Sequence, residues 1–162
     1  MEDDTIAIRE PPIRNSGVIG GNFLRRQVLK KPDGSKYLAS DMYVGNIVDF
    51  VSHRFELLNA DEYSYRLMEN DEKTFPFSNF CRLHDVLTTK KEEIKKYFAT
   101  DYEGEGRIDI NDFTLCCEIV GLKLNKQEAL TLWRKLDKKG KERISFTKVI
   151  SMASDDLINI AW

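Results

Sequence analysis

Long apolar runs are absent from this chain of 162 residues, so no segment reaches the roughly 20 residues that a membrane-spanning helix needs. Cysteine is scarce. There are 3, an odd number without paired spacing, which excludes a disulfide framework and fits a reducing compartment. The two histidines, His53 and His84, lie far apart with no zinc-type spacing to a cysteine. No nucleophile elbow, kinase signature or phosphate-cradling loop occurs. The cluster Gly17, Gly20 and Gly21 lacks the Lys-Ser/Thr that would follow in a phosphate loop, and reads as a bent connector. Charge of one sign is also lacking: 25 Lys and Arg against 27 Asp and Glu leave a net −2, which makes no general case for nucleic acid. The start, Met-Glu-Asp-Asp, has no apolar core of a secretory signal, so the cytosol is the expected compartment.

What is present is an ordinary folding composition, 41% hydrophobic and 32% charged, enough for one domain or two small ones. Its organising stretch runs from Asp101 to Phe113, between two amphipathic segments. On the EF-hand loop, Asp101, Glu103, Glu105, Asp109 and Asp112 take positions 1, 3, 5, 9 and 12, Arg107 offers its carbonyl at 7, and Gly106 takes the sharp turn at 6. Asp112 stands where a longer Glu would chelate with both oxygens, so the loop reads either as a weak Ca²⁺ or Mg²⁺ site or as an acidic, solvated structural loop. A second loop, Asp137 to Lys148, has the shape without the chemistry. Lys139, Lys141 and Lys148 fill positions 3, 5 and 12, and ammonium groups cannot accept from a cation. Ile108 and Ile144, at position 8 of each loop, are expected to pair in a short β-bridge. One weakly held cation is the most the pair would carry.

The rest of the chain falls around these loops. Residues 4 to 10 alternate with period two and predict a short strand that Pro11 and Pro12 stop. Phe23, Leu24, Val28 and Leu29 surround the basic residues Arg25, Arg26, Lys30 and Lys31, which read as a charged strand edge or as contacts to an acidic partner. Tyr43 to Val51 and Arg54 to Leu58 give a hairpin pattern broken at Ser52-His53. Asn59 or Asp61 caps a following helix with Tyr63, Leu67 and Met68 near helical spacing. Phe75-Pro-Phe-Ser-Asn-Phe80 is an aromatic connector, with Ser78 or Asn79 as the cap of the next helix. Thr89 to Glu92 and Asn125 to Glu128 both fit capping boxes, and Gly121 is placed to end the helix between them.

Several pieces resemble the myoclonin-type EF-hand ciliary proteins, which carry DM-ten domains before C-terminal EF-hands. They are Asp4 to Ile8, Glu10-Pro-Pro-Ile-Arg-Asn-Ser-Gly-Val-Ile-Gly-Gly21, Asp41-Met-Tyr-Val-Gly45, His53-Arg-Phe55, Asn59-Ala-Asp-Glu-Tyr63 and Leu67-Met-Glu69. The resemblance implies an α+β chain: a partial, pleckstrin-homology-like β-barrel over residues 1–70, the connector over 71–88, and an all-α degenerate EF-hand pair over 89–162. It implies a non-enzymatic structural role inside ciliary doublet microtubules, with tubulin and other inner proteins as partners. The opening strands of such a domain are missing before Met1, so a truncated relative or a fragment is expected, with a neighbouring chain completing the barrel. Arg25, Arg26, Lys30, Lys31 and Trp162 are the candidate partner contacts. The competing reading is a soluble, calcium-responsive EF-hand protein.

Overall fold

The computed structural model describes residues 3–17, 19–101 and 106–154, with only the backbone of Asp101. The chain divides into two compact units, Met1–Leu58 and Asn59–Trp162.

In the first unit, β1 (Thr5–Glu10) pairs antiparallel with β2 (Gly21–Val28). Ile6 and Ile8 turn toward a small core of Leu24, Leu29, Tyr37, Val48 and Phe50. The register slips twice along β2, between the partners of Ile6 and Ile8 and again between those of Ile8 and Arg9. Such bulges, with Arg25 and Arg26 on the strand, blunt an edge that would otherwise template further pairing. The glycine-rich connector is explained by crowding. Gly20 has φ +75, and a Cβ there would stand 2.7 Å from the Glu10 carbonyl oxygen and 2.7 Å from the Pro12 nitrogen.

β3 (Ile47–Phe50) and β4 (His53–Glu56) form the predicted hairpin, but its turn is Val51-Ser52, one residue before the expected break. Both turn residues have positive φ, 47° and 65°. A two-residue turn of this hand matches strand twist and favours Asn-Gly, whereas β-branched Val51 is strained there. Val51→Asn combined with Ser52→Gly should therefore stabilise the chain by about 1–2 kcal/mol, read as a rise in the urea midpoint. Tyr37 ties the preceding loop to this hairpin: its hydroxyl accepts from Asp49 N at 3.0 Å, and its ring meets Phe50 edge-on at 4.9 Å. Among the described residues the two sheets stay two-stranded and no closed barrel forms.

The second unit is helical. α1 (Glu62–Asn70) is capped by Asp61, whose carboxylate accepts from Ser64 N. It buries Met68, as the spacing suggested, but with Tyr65 beside it, while Tyr63 and Leu67 are exposed. Arg134 meets this helix: it bonds Glu69 at 2.7 Å and Glu62 at 2.8 Å, and its guanidinium lies 4.5 Å from the Tyr65 ring centre. By contacts this helix thus belongs with the helices that follow it, rather than with the strands.

α2 (Phe80–Thr88) is capped by Asn79. The capping box expected at Thr89 to Glu92 does not form. α2 runs through Thr88, the Thr89 hydroxyl donates to the Val86 carbonyl at 2.6 Å, and α3 (Lys91–Lys96) begins after an uncapped Lys90. A wider turn over Tyr97–Asp101 continues α3 toward the first loop. β5 (Arg107–Ile108), α4 (Ile110–Ile119), α5 (Lys126–Leu136), β6 (Ile144–Ser145) and α6 (Thr147–Ser154) complete the unit. α4 ends as expected: Gly121, at φ +84, bonds back to Glu118 O at 3.0 Å and Leu122 to Cys117 O at 2.8 Å. α5 has its full capping box, Asn125 with Glu128. The core gathers Leu83, Leu87, Ile94, Ile108, Phe113, Leu132 and Val149, each fully buried, with residues from every helix except α1.

Candidate functional site

The two loops meet through β5 and β6, where Ile108 faces Ile144 in an antiparallel bridge, as their matched positions predicted. Both side chains are buried. Position 6 of each loop sits in the left-handed region, Gly106 at φ 81 and Glu142 at φ 61. The second loop thus keeps the turn even with a residue that pays strain for it.

What each loop does with its charged groups differs. In the second, the Asp137 carboxylate accepts from Lys141 N and Glu142 N, each at 2.9 Å, so the residue at position 1 closes on its own loop. At position 12 the Lys148 ammonium donates to the Leu136 carbonyl at 3.3 Å. An ammonium beside the last carbonyls of α5 complements the negative end of the helix dipole. It links the helix before the loop to the helix after it, a connection a carboxylate makes through a metal ion in an EF-hand. With Lys139 and Lys141 exposed at positions 3 and 5, this donor set does not fit a divalent cation.

In the first loop, Asp109 and Asp112 cap α4 reciprocally. Asp109 accepts from Asn111 N at 2.8 Å and Asp112 N at 3.0 Å, while Asp112 accepts from Asp109 N at 3.1 Å. The Arg107 carbonyl, at position 7, accepts from the Arg143 guanidinium at 3.4 Å, and Arg107 donates to the Arg143 carbonyl at 2.9 Å. The loops are thereby cross-linked by an exchange of arginines at the same position. Glu103, Glu105 and the Asp101 side chain lie outside the described residues. The arrangement brings three of the six expected positions together, Arg107, Asp109 and Asp112, each with hydrogen-bond partners from the protein itself.

Two cysteines and one histidine are held in the core of the helical unit. Burial pushes the Cys116 and Cys117 thiols up to about 12, so both stay protonated in the core. His84 is buried, with Nε2 donating to the Met152 carbonyl at 2.9 Å and joining α2 to α6. The four basic candidates separate into two kinds. Arg26 bonds Thr5 Oγ1 at 2.6 Å and Asp3 at 2.9 Å; the Thr5 hydroxyl and then Arg26 hold the Asp3 carboxyl down to about 2. Lys31 pairs with Asp41 at 2.9 Å, which raises its pKa. Arg25 is exposed on β2, and Lys30 stands opposite Lys36 in an antiparallel bridge. Trp162 lies outside the described residues. Sequence reading passed over Lys36, Lys148's bond to Leu136 and the two arginine exchanges, because each depends on partners brought in by folding.

Comparison with known proteins supplies the family. A model of the DM10 domain matches residues 1–64. The chain is 31% identical over 170 aligned residues, 97% of its own length, to the EF-hand domain-containing family member C2 of Danio rerio. The chain belongs to the DM10 and EF-hand family. The Mus musculus family member C2 is 36% identical over 147 residues, 83% of the chain, and the Homo sapiens EF-hand domain-containing protein 1 is 42% identical over 112 residues, 66% of it. The chain spans only 23%, 20% and 16% of these three relatives. This DM10 and EF-hand chain is therefore similar to one part of much longer proteins. The DM10 match runs past Leu58, where the first compact unit ends, into the start of α1. Among the described residues no helix is long and apolar enough to cross a membrane.

Proposed function

We propose that this chain is a non-enzymatic structural protein of ciliary or flagellar doublet microtubules, held against tubulin and other inner proteins. Residues 89–162 act in this reading as a degenerate EF-hand pair retained for its packing. The first unit acts as part of a pleckstrin-homology-like barrel whose open edges a neighbouring chain completes. The observation that carries the reading is the Lys148 bond to Leu136 O at 3.3 Å: the second loop holds its two helices with a tethered ammonium and needs no ion. The resemblance to the ciliary ribbon proteins is the support for the proposed location, the axoneme.

A second reading has its own support in the EF-hand naming of the relatives and the acidic first loop: a soluble, calcium-responsive protein. There, Asp101, Glu103, Glu105, Arg107, Asp109 and Asp112 would hold one Ca²⁺ or Mg²⁺ ion weakly. A tagged full chain in ciliated cells, followed by salt extraction of axonemes and calorimetric titration of the purified chain, separates the two. Retention in the extracted doublets, with at most weak cation binding, supports the structural role. A chain that stays in the soluble cell body, and binds calcium tightly with new apolar exposure, overturns it.

A further inference from the structure

The hairpin between β2 and β3 sets two like charges against each other with no compensating ion pair among the described residues. Lys30 and Lys36 stand directly opposite one another in an antiparallel bridge. The pairing is extended on both sides, since Tyr37 N donates to Leu29 O at 3.0 Å and Lys31 N to Ser35 O at 2.7 Å. Side chains directly opposite lie about 4.5–5.5 Å apart at Cβ, and like charges there repel. The neighbouring positions show that the fold had an alternative. Lys31 faces inward, where Asp41 neutralises it and its ammonium lies 5.8 Å from the Tyr37 ring centre. Lys30 and Lys36 are both exposed, and neither forms an ion pair among the described residues.

Alternation places the rest of the surface. Leu29 and Tyr37 point into the core, so Lys30 and Lys36 share the outer face with Val28 and Leu38, two residues along each strand. Val28 is 41% exposed and Leu38 47%. The outer face is thus a narrow strip, two aliphatic side chains followed by two uncompensated ammonium groups.

We propose that this strip is a docking surface for an extended, carboxylate-rich polypeptide segment. Carboxylates would bridge the two ammonium groups while aliphatic stems cover Val28 and Leu38. The strip is two charges wide and Asp33 stands on its turn, so it complements a flexible acidic strand rather than a broad anionic sheet such as a bilayer. The proposal deepens the structural reading above by naming the residues that meet an acidic neighbour, and it is tested without any filament.

The test is fluorescence anisotropy of a labelled oligoglutamate titrated with the full chain at low and high salt, alongside melting curves. Binding should appear at low salt and weaken with added salt. Lys36→Glu should lower the affinity about tenfold while raising the melting temperature of the free chain, because it gives Lys30 an opposite charge. Arg26→Gln, which removes an internally paired cation, should leave the affinity unchanged. A residue with only a structural role would not move affinity and stability in opposite directions. Absence of binding at low salt, equal binding by the Lys36→Glu chain, or a preference for phosphatidylserine vesicles over oligoglutamate would overturn the proposal. None of these results depends on where the chain resides in a cell.

Discussion

Ile108→Ala is expected to lower the stability of the helical unit by about 2–5 kcal/mol, the range for deleting a large aliphatic group from a core that relaxes only in part. Ile108 has no exposed surface, faces Ile144 across the β-bridge, and belongs to the same cluster as Phe113 and Leu132. It also lies between the two arginine exchanges and the α4 cap, so its loss loosens both loops at once. Urea unfolding followed by far-UV circular dichroism measures the effect. Arg107→Ala supplies the contrast: it removes an exposed bond to Arg143 O and should cost no more than about 1 kcal/mol. If the two variants proved equally destabilising, the bridge would be held by its polar exchange and not by burial. Adding chelator should leave the Ile108→Ala loss unchanged, since the second loop is joined by a Lys148 ammonium and the two isoleucines.

How far the sequence foretold this follows from the range of the interactions involved. Asn125 with Glu128, Asn79, Asp61 and Gly121 act within a few residues of themselves; the first pair and Gly121 start and end their helices where spacing placed them, and Asp61 and Asn79 are the caps taken from the alternatives Asn59 or Asp61 and Ser78 or Asn79. Ile108 and Ile144 were legible for a different reason: two loops of equal length put equivalent residues at equal positions. Thr89 misled because the same Thr-x-x-Glu pattern that begins a helix can also sit just past the end of another. The α2 carbonyl of Val86 takes its hydroxyl. On α1, helical spacing found Met68 but missed Tyr65, whose ring lies against the guanidinium of Arg134, a residue 72 positions from Glu62. The buried bond of Gln127 to Ser78 Oγ at 3.1 Å also spans a long separation, 49 positions. Among the described residues the sheets of the first unit stay two-stranded, since how strands join beyond a hairpin depends on contacts that local pattern does not encode. At the candidate metal loop, side-chain types were readable, but the capping of α4 by Asp109 and Asp112 and the guanidinium at the Arg107 carbonyl were not.

Arg134→Ala should cost about 2 kcal/mol at neutral pH and change how stability responds to acid. Its guanidinium bonds Glu69 and Glu62 from α5 and covers the Tyr65 ring, so one side chain fastens α1 to the bundle. The Glu69 side chain is only 13% exposed, and truncating its partner leaves a carboxylate largely out of water without compensation. Glu62 is more open, so solvent screening discounts its share. Its pKa nonetheless falls from 4.5 to about 2, chiefly through the Arg134 hydrogen bond and then through Arg66. A depressed carboxylate binds fewer protons folded than unfolded, so its stabilisation is complete above pH 4.5 and is lost as the pH falls toward about 2. Urea midpoints of the native chain should therefore decline through that window. In the Arg134→Ala chain, where only Arg66 still acts on Glu62, the decline should be shallower, and Arg134→Lys should lie between the two because it keeps the charge but loses the planar fork. Equal slopes in all three chains would mean that α1 is held by the burial of Tyr65 and Met68 alone.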